Sequence, residues 1–300
     1  MFDVVGKRNW YFAFSLLLIV PGVISLFLWG LRLSIDFTGG SRMTLVASQG
    51  VNEQRVETVK NILEEEKIEI VTVQQSDRSI IIRTKPMSEK QDAAVLKKLE
   101  SKDKSLKQEG FETIGPVIGG ETTQKAVNAL IIASILIVFY IAWSFRNVRK
   151  PLSSWRFGVC AIAALLHDAL FVIGIFSLLG HFYGVEIDSL FITALLTVIG
   201  FSVHDTIVVF DRVRENLRRN IDTPFPQVVN DSILQTLVRS LNTSLTTLLV
   251  LFTMFLFGGE TIRWFIVALL VGILSGTYSS IFNAAQLLVV WQEWSQRRRK

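Results

Sequence analysis

Two His-Asp pairs stand inside long apolar runs of the sequence, at His167-Asp168 and His204-Asp205. An ionisable side chain within a membrane span is costly and is rarely kept without a partner or a task. A buried carboxyl group can take up and release a proton, so the sequence predicts proton chemistry with Asp205 as its main candidate. The alternative for Asp205 is a structural bond between helices. The first pair would either line a polar path with the second or bond a neighbouring helix.

The surroundings of Asp205 offer further candidates. The imidazole of His204 could pass protons along, or it could hydrogen-bond a neighbouring helix. Arg239 stands at the start of the next apolar run, where it could be the counter-charge of Asp205 or could extend to the lipid headgroups. Hydroxyl side chains follow it, among them Thr243 and Thr247, and they suit a hydrated interior face. These residues complete the predicted proton path.

The elements that must carry these residues are membrane spans. Half of the 300 residues are hydrophobic and the mean hydropathy is +0.43, which is too apolar for an ordinary soluble domain. A hydrocarbon core about 30 Å thick needs roughly 20 helical residues. Runs that meet this need lie at 9–31, 126–145, 157–180, 189–211, 241–257 and 264–291. The sequence therefore predicts a polytopic α-helical membrane protein with six transmembrane helices.

Basic residues predict the orientation of these spans. They concentrate in residues 1–8, in the loop between spans two and three, in residues 212–240 and in the tail 292–300. Short loops rich in Lys and Arg stay in the cytoplasm, so both termini are expected there. The net charge of +5 then reflects contact with an anionic inner leaflet and calls for no nucleic-acid partner.

The polar segment 32–125 falls on the extracytoplasmic side. It reads as strand, helix, strand, strand, helix, strand at 42–47, 52–66, 68–73, 80–83, 88–106 and 111–114. That order predicts an α+β ferredoxin-like domain between helices 1 and 2. Glycine-rich joints flank the domain, and hinges or ordinary turns would both explain them. The joint residues are Gly39, Gly40, Gly115, Pro116, Gly119 and Gly120.

A second polar stretch separates spans four and five. After Pro224 and Pro226, residues 227–240 carry apolar side chains at helical spacing with polar residues between them. This pattern predicts a separate amphipathic helix that lies along the inner membrane surface.

The sequence lacks the usual signatures of catalysis. No Walker A, GxSxG, HExxH or Cys/His metal pattern occurs, and Cys160 is the single cysteine. We therefore expect no catalytic residue, no metal site and no cofactor, and the chain is not expected to be an enzyme.

Several motifs together resemble the SecF branch of the SecD/SecF family, within the resistance-nodulation-division (RND) superfamily. They are DFTGG at 36–40, Gly115-Pro116, LLHD at 165–168, GFSVHDTIVVFDRVREN at 200–216 and RSLNTSLTT at 239–247. The likeness extends over nearly the whole chain. The long span-four segment is highly specific, whereas the glycine joints alone would be weak.

The resemblance implies an RND-type half with six spans and one outer domain. It implies SecD as a separate partner chain, the SecYEG channel, YajC and YidC as further candidates, and preproteins driven by SecA. The implied function is to use the proton-motive force for late-stage preprotein translocation across the bacterial cytoplasmic membrane. Asp205 and Arg239 fall on the family's essential transmembrane Asp and Arg, whereas many members carry Asn at the position of His204.

Two other functions stay compatible with the residues. A half-transporter of RND type would export lipid or small hydrophobic substrates, although so small an outer domain leaves little room for a drug-sized pocket. A purely structural subunit would stabilise a channel without ion chemistry, and neutralising Asp205 would then affect assembly alone.

Overall fold

The computed structural model describes residues 3–48, 50–76, 78–146, 154–219 and 222–298. Its elements are α1 (Arg8–Trp29), α2 (Ile35–Thr38), β1 (Gly40–Ala47), α3 (Glu53–Glu65), β2 (Ile70–Gln75), β3 (Ser79–Thr84), α4 (Glu89–Lys102), β4 (Leu106–Ile114), α5 (Pro116–Ser144), α6 (Ser154–Tyr183), α7 (Ser189–Arg219), α8 (Phe225–Phe257), α9 (Glu260–Ser279), a π-helical turn (Ser280–Ala284) and α10 (Ala285–Arg297). Arg149, Lys150, Arg299 and Lys300, which belong to the predicted basic loops, lie outside the described residues.

Six helical stretches are long and apolar enough to cross a membrane, as the sequence predicts. Five of them are α1, α5, α6, α7 and α8, and the sixth combines α9, the π-helical turn and α10. These helices make up most of one compact unit, the helical unit, which comprises Met1–Leu31, Ala129–Val185 and Leu190–Lys300. A second unit, the α+β unit, comprises Arg32–Asn128 and Glu186–Ser189.

The α+β unit holds a four-stranded antiparallel sheet in the order β2-β3-β1-β4. Together with α3 and α4 it follows the predicted βαββαβ order, which confirms the ferredoxin-like fold. Alternate residues of the strands point to one face, where they pack on the two helices. The buried core comprises Met43, Leu45, Ala47, Val59, Ile62, Leu63, Ile68, Ile80, Ile82, Met87, Val95, Leu99 and Leu106.

Side-chain caps begin α3 and α4 of this unit. Asn52 accepts a hydrogen bond from the backbone N–H of Arg55, and Ser88 forms a capping box with Gln91. At the end of α4, Asp103 accepts hydrogen bonds from the hydroxyl of Ser105 at 2.5 Å and from Nε of Arg55 at 3.0 Å. The Ser105 hydrogen bonds, aided by Arg55, hold the pKa of Asp103 below its usual value.

In the helical unit, glycines let helix backbones approach closely. A Cβ atom at Gly22 of α1 would lie 2.8 Å from Cα of Gly174 in α6, so neither position has room for a side chain. Gly272 of α9 packs in the same way against Val198 of α7. Small residues at such crossings are typical of helix packing in membranes.

The prediction of a separate amphipathic helix at 227–240 is wrong. The structure has one continuous helix, α8, from Phe225 to Phe257. No glycine or proline occurs between Pro226 and Gly258, so the backbone hydrogen bonds continue without a break. The buried face also continues, from Ile233 through Ser240 to Ser244. The second glycine-rich joint also differs from the expected hinge or turn, because α5 begins at Pro116 and includes Gly119 and Gly120 in its first turns.

We predict that Gly22→Ala lowers the thermal stability of the chain in detergent, because the new methyl group would meet the backbone of Gly174. Gly200→Ala is the matched control, since a Cβ at Gly200 in α7 has no neighbour within 4 Å. There the better helix propensity of alanine should leave stability unchanged or raise it by up to about 1 kcal/mol. Equal melting temperatures for the two variants would contradict the close helix crossing.

A second prediction concerns acid stability. A carboxyl group with a lowered pKa in the folded state stabilises the fold above its unfolded pKa, and this contribution is lost as pH falls through the folded value. Asp103→Asn should therefore lose about 1 kcal/mol at neutral pH and differ little from the parent below about pH 3. Hydrogen exchange of α4 amides in the intact chain measures this. The control is Glu100→Gln, an exposed position in α4, and a pH-independent loss would contradict the prediction.

Candidate functional site

Asp168 of α6 is a buried carboxylate whose hydrogen-bonding positions are filled. Ser275 donates to Oδ1 at 2.8 Å, while Ser202 and Ser279 each donate to Oδ2 at 2.5 Å. Nδ1 of His167 lies 3.0 Å from Oδ1, so a proton on Nδ1 supplies a fourth donor. A carboxylate accepts about four hydrogen bonds. Asp168 therefore acts as a hub that connects α6, α7 and α9.

The π-helical turn after α9 adds to this network. Ser279 and Ser280 are adjacent in sequence, yet both hydroxyls are buried and face different helices. Ser279 bonds Asp168, while Ser280 lies 2.9 Å from the hydroxyl of Thr206 in α7. Farther along the turn, the amide of Asn283 bonds Ser15 of α1. A π-helical turn often occurs at functional sites, and here it directs polar side chains of one helix toward several partners.

Asp205 of α7 is also buried, but its carboxyl group has fewer hydrogen-bond partners among the described residues than that of Asp168. It is 2% exposed, and its Oδ2 atom has no hydrogen-bond partner among the described residues. The hydroxyl groups of Ser244 in α8 and Thr277 in α9 lie beside the carboxyl group and within 2.6 Å of each other. An uncommitted oxygen in a buried carboxyl group leaves a position where a proton can bind.

His204 lies beside Asp205 but faces outward. Its Nδ1 is 3.8 Å from Oδ1 of Asp205, and 66% of its side chain is exposed. It is therefore placed between the buried carboxyl group and the surface of the helical unit. At this distance the two groups do not hydrogen-bond directly, so a proton relay between them would need a small movement of the imidazole or one bridging water.

The structure does not bring Arg239 together with Asp205. Arg239 is exposed on α8, and no ion pair joins it to Asp205 in the part of the chain that the structure describes. The hydroxyl of Thr243 bonds the carbonyl of Arg239, and that of Thr247 bonds the carbonyl of Thr243, each within their own helix. Of the hydroxyl-rich start of span five, it is Ser244 that reaches Asp205.

Sequence reasoning missed the donors to Asp168. Ser275 and Ser279 stand one turn apart on a helix and Ser202 stands one turn before Asp205, so their spacing held a signal. Gly272 and Gly276 lie on the neighbouring face of the same helix. That face does allow close packing, but the chemistry lies on the serine face beside it.

The two glycine joints, predicted as hinges or turns, pack against each other within the α+β unit. A Cβ at Gly39 would lie 2.8 Å from Cα of Pro116, and one at Gly119 would lie 2.8 Å from the backbone nitrogen of Gly39. Gly39 and Gly40 also have positive φ angles of 72° and 126°, which favour glycine. Gly115 and Gly120 have open space around them. Close packing thus explains Gly39 and Gly119.

Among the described residues, no group of three or more His, Cys, Asp or Glu side chains could hold a metal ion. The site of Asp205 consists of one carboxyl group, hydroxyl groups and one imidazole. Such a set can move protons along hydrogen bonds.

Comparison with protein families gives two matches. A family described as "Protein export membrane protein SecD/SecF, C-terminal" matches residues 94–294, and one described as "SecD/SecF GG Motif" matches residues 24–51. The second match contains Gly39 and Gly40, and the first contains Asp168, Asp205 and Arg239. The matches thus include every candidate residue discussed above.

Individual proteins are similar over nearly the whole chain. The protein translocase subunit SecF of Thermobaculum terrenum is 47% identical, covering 97% of this chain and 94% of that protein. SecF of Anaerolinea thermophila is 41% identical, covering 98% and 96%. The crystal structure of SecDF from Thermus thermophilus, described as a translocon-associated membrane protein, superposes with a TM-score of 0.84 at 38% identity. That match covers 97% of this chain but only 39% of the SecDF chain.

We predict that Ser279→Ala destabilises the chain by about 1–3 kcal/mol, because a buried carboxylate oxygen loses a donor. Ser134→Ala is the matched control, since the Ser134 hydroxyl bonds only the carbonyl of Leu130 in its own helix. Unfolding by a denaturing detergent measures both variants. If Ser279→Ala costs no more than the control, Asp168 is not the hub of the helical unit.

Proposed function

The chain belongs to the SecD/SecF family of protein export membrane proteins, and we propose that it acts as a proton-driven SecF subunit of a bacterial Sec translocase. The family assignment supports a role in the Sec system. The proposal adds the energy source and the residues that use it. With SecD, the chain uses the proton-motive force to promote a late stage of preprotein translocation across the cytoplasmic membrane.

The observation that carries the proposal is the contrast between two buried carboxyl groups. Asp168 has its hydrogen-bonding positions filled, so it serves the structure. Asp205 keeps Oδ2 unpaired and has an exposed imidazole beside it. In a membrane span such a group is costly unless it has a task. Proton uptake at Asp205 is a task that the geometry allows.

The energy available is sufficient for a conformational change. One elementary charge that moves through about 100 mV releases about 2.3 kcal/mol. A two-state equilibrium with a gap of a few kcal/mol shifts strongly when that amount is added. The sequence contains no nucleotide-binding motif, which agrees with an ion as the energy source rather than ATP.

The surface of the helical unit supports SecD as a partner within the membrane. α7 exposes His204, and α8 exposes Arg239, Asn242, Thr243 and Thr246 on stretches that would otherwise face lipid. Polar side chains at membrane depth are normally covered by protein or line a water-filled cavity. We propose that the spans of SecD cover this face. Arg239 would then serve proton transfer from the interface with SecD rather than by an ion pair with Asp205 inside this chain.

The Thermus SecDF structure supports the same partner. This chain matches only 39% of that protein, so the SecF-like part there is continuous with a longer SecD-like part. We propose that a SecD-like part also accompanies this chain. SecYEG, SecA-driven preproteins, YajC and YidC complete the proposed assembly on the strength of the family resemblance.

The orientation also belongs to the proposal. Basic residues near both ends, including Lys7, Arg8, Arg297 and Arg298, favour a cytoplasmic location of the termini. The α+β unit would then lie outside the cytoplasmic membrane, where an emerging preprotein can reach it. We further propose that the chain is not an enzyme, since its candidate site moves protons and breaks no covalent bond of a substrate.

Asp205→Asn tests the proposal. Asparagine keeps the size of the side chain but cannot carry a proton, so export driven by an imposed proton gradient should fall by roughly tenfold or more, given about 2.3 kcal/mol per charge and 100 mV. Co-purification with SecD should stay normal. Inverted membrane vesicles that contain the whole translocase allow both measurements on one preparation.

The matched control is Asp211→Asn, the same substitution on the same helix at a residue that is 56% exposed and paired with Arg214. It should export normally. Loss of SecD co-purification with Asp205→Asn would favour a purely structural role. Normal gradient-driven export with Asp205→Asn would place the proton carrier elsewhere and would contradict the proposal.

A further inference from the structure

The segment between α6 and α7 is built into the α+β unit as an extra strand-like piece. Leu33 and Ile187 form a parallel β-bridge. The backbone N–H of Ser34 donates to the carbonyl of Ile187 at 2.8 Å, and the N–H of Ile187 donates to the carbonyl of Arg32 at 2.7 Å. Joining α6 to α7 needs none of these bonds. They attach the connection to a different part of the chain.

Arg83 of β3 fastens the same segment with a nearly buried ion pair. Its guanidinium Nη1 donates to Glu186 at 2.7 Å and to the carbonyl of Leu33 at 2.9 Å, while Nη2 donates to the hydroxyl of Thr38 at 2.9 Å. Arg83 is only 8% exposed. One side chain therefore holds the sheet, the linker after α1 and the segment before α7 together.

Asp36 completes the attachment at the start of α7. Its Oδ2 accepts a hydrogen bond from the backbone N–H of Ser189, the first residue of that helix, at 2.9 Å. A carboxylate at a helix N-terminus satisfies an unpaired N–H and interacts favourably with the helix dipole. This contact gives the aspartate of the DFTGG motif a definite role. Asp205 lies in the same helix, α7.

We propose that Arg83, Glu186 and Asp36 are positioning residues that hold the segment Glu186–Ser189, and with it the first residue of α7, within the α+β unit. We call these residues, with the Leu33–Ile187 bridge, the clasp. Because α7 also carries Asp205, gradient-driven export is expected to need this fixed start of the helix. That last step rests on the proposed function of Asp205, whereas the attachment of the segment does not.

Breaking the ion pair between Arg83 and Glu186 is expected to loosen the segment Glu186–Ser189 from the rest of the α+β unit. Removing one partner of such a pair leaves the other charge buried and unpaired, which destabilises the contacts around that charge. Glu186→Gln should therefore lower gradient-driven preprotein export roughly tenfold, with normal abundance of the chain and normal co-purification with SecD. Its matched control is Glu112→Gln, which breaks the more exposed ion pair between Glu112 and Arg42 on the sheet of the same unit. The control should export normally.

A disulfide across the β-bridge locks the clasp. Residues paired on neighbouring strands lie about 5 Å apart, which suits a disulfide. Leu33→Cys with Ile187→Cys is made in a Cys160→Ala chain, which removes the single native cysteine. If the clasp stays closed during export, the oxidised chain should export as well as the reduced chain. Export that is lost on oxidation and regained on reduction would show that the segment must detach, and would overturn the proposal.

Rescue separates positioning from simple folding. In the Glu186→Gln chain, oxidation of the same cysteine pair should restore export and reduction should abolish it again. A chain that is merely misfolded would not recover and fail reversibly in this way. Normal export by Glu186→Gln, or no rescue on oxidation, overturns the clasp as a positioning device.

Asp205→Asn in parallel keeps the two proposals apart. If Asp205→Asn exports normally while Glu186→Gln fails and is rescued, the proton proposal is wrong and the clasp stands. If Asp205→Asn fails while Glu186→Gln exports normally, the clasp is overturned and the proton proposal stands. All variants are assayed as full chains with SecD and the channel in the same vesicles.

Discussion

The need of a buried carboxylate for hydrogen-bond donors governs the helical unit. Lipid offers no donors, so a charged group inside a membrane protein depends on the side chains that its neighbouring helices present. Asp168 receives hydroxyl groups from α7 and from α9, and these bonds can form only at one relative rotation of the helices. The close packing of Gly272 and Gly276 on α7 brings the backbones near enough for side chains as short as serine to reach. The hydrogen bonds to Asp168 therefore depend on the close packing of the glycines.

The same requirement applies to Asp205 and to the polar surface near it. Among the described residues, Oδ2 of Asp205 has no hydrogen-bond partner, and α7 and α8 present imidazole, guanidinium and amide groups on their outer surface. In water these groups would need no explanation, but in a membrane they need a protein neighbour or a hydrated cavity. The proposed SecD spans would cover this surface, and the family assignment supports the same partner.

Much of the architecture could be predicted because it depends on local patterns. Span lengths follow from apolar runs, the βαββαβ order follows from alternating and helical periodicities, and Asn52 and Ser88 follow from capping rules. The spacing of Ser275 and Ser279 marks a polar helix face, but which serines meet Asp168 depends on helix rotation and on the π-helical turn, which local patterns do not give. The continuity of α8 was missed because Arg239 and the hydroxyl groups after it resemble a boundary. The Arg83–Glu186 pair joins residues 103 positions apart, and no local pattern encodes such a contact.

The built-in segment before α7 also determines how separable the α+β unit is. The chain passes between the two units after Leu31, after Asn128, after Val185 and after Ser189, so the unit is assembled from two distant stretches of sequence. Excising Arg32–Asn128 as a cassette would leave Ile187 without its strand neighbour and Glu186 without its cation. Moving the unit to another membrane protein would require moving the four residues Glu186–Ser189 as well. A functional exchange of this unit between related chains would therefore have to keep both stretches of sequence and the contacts between them.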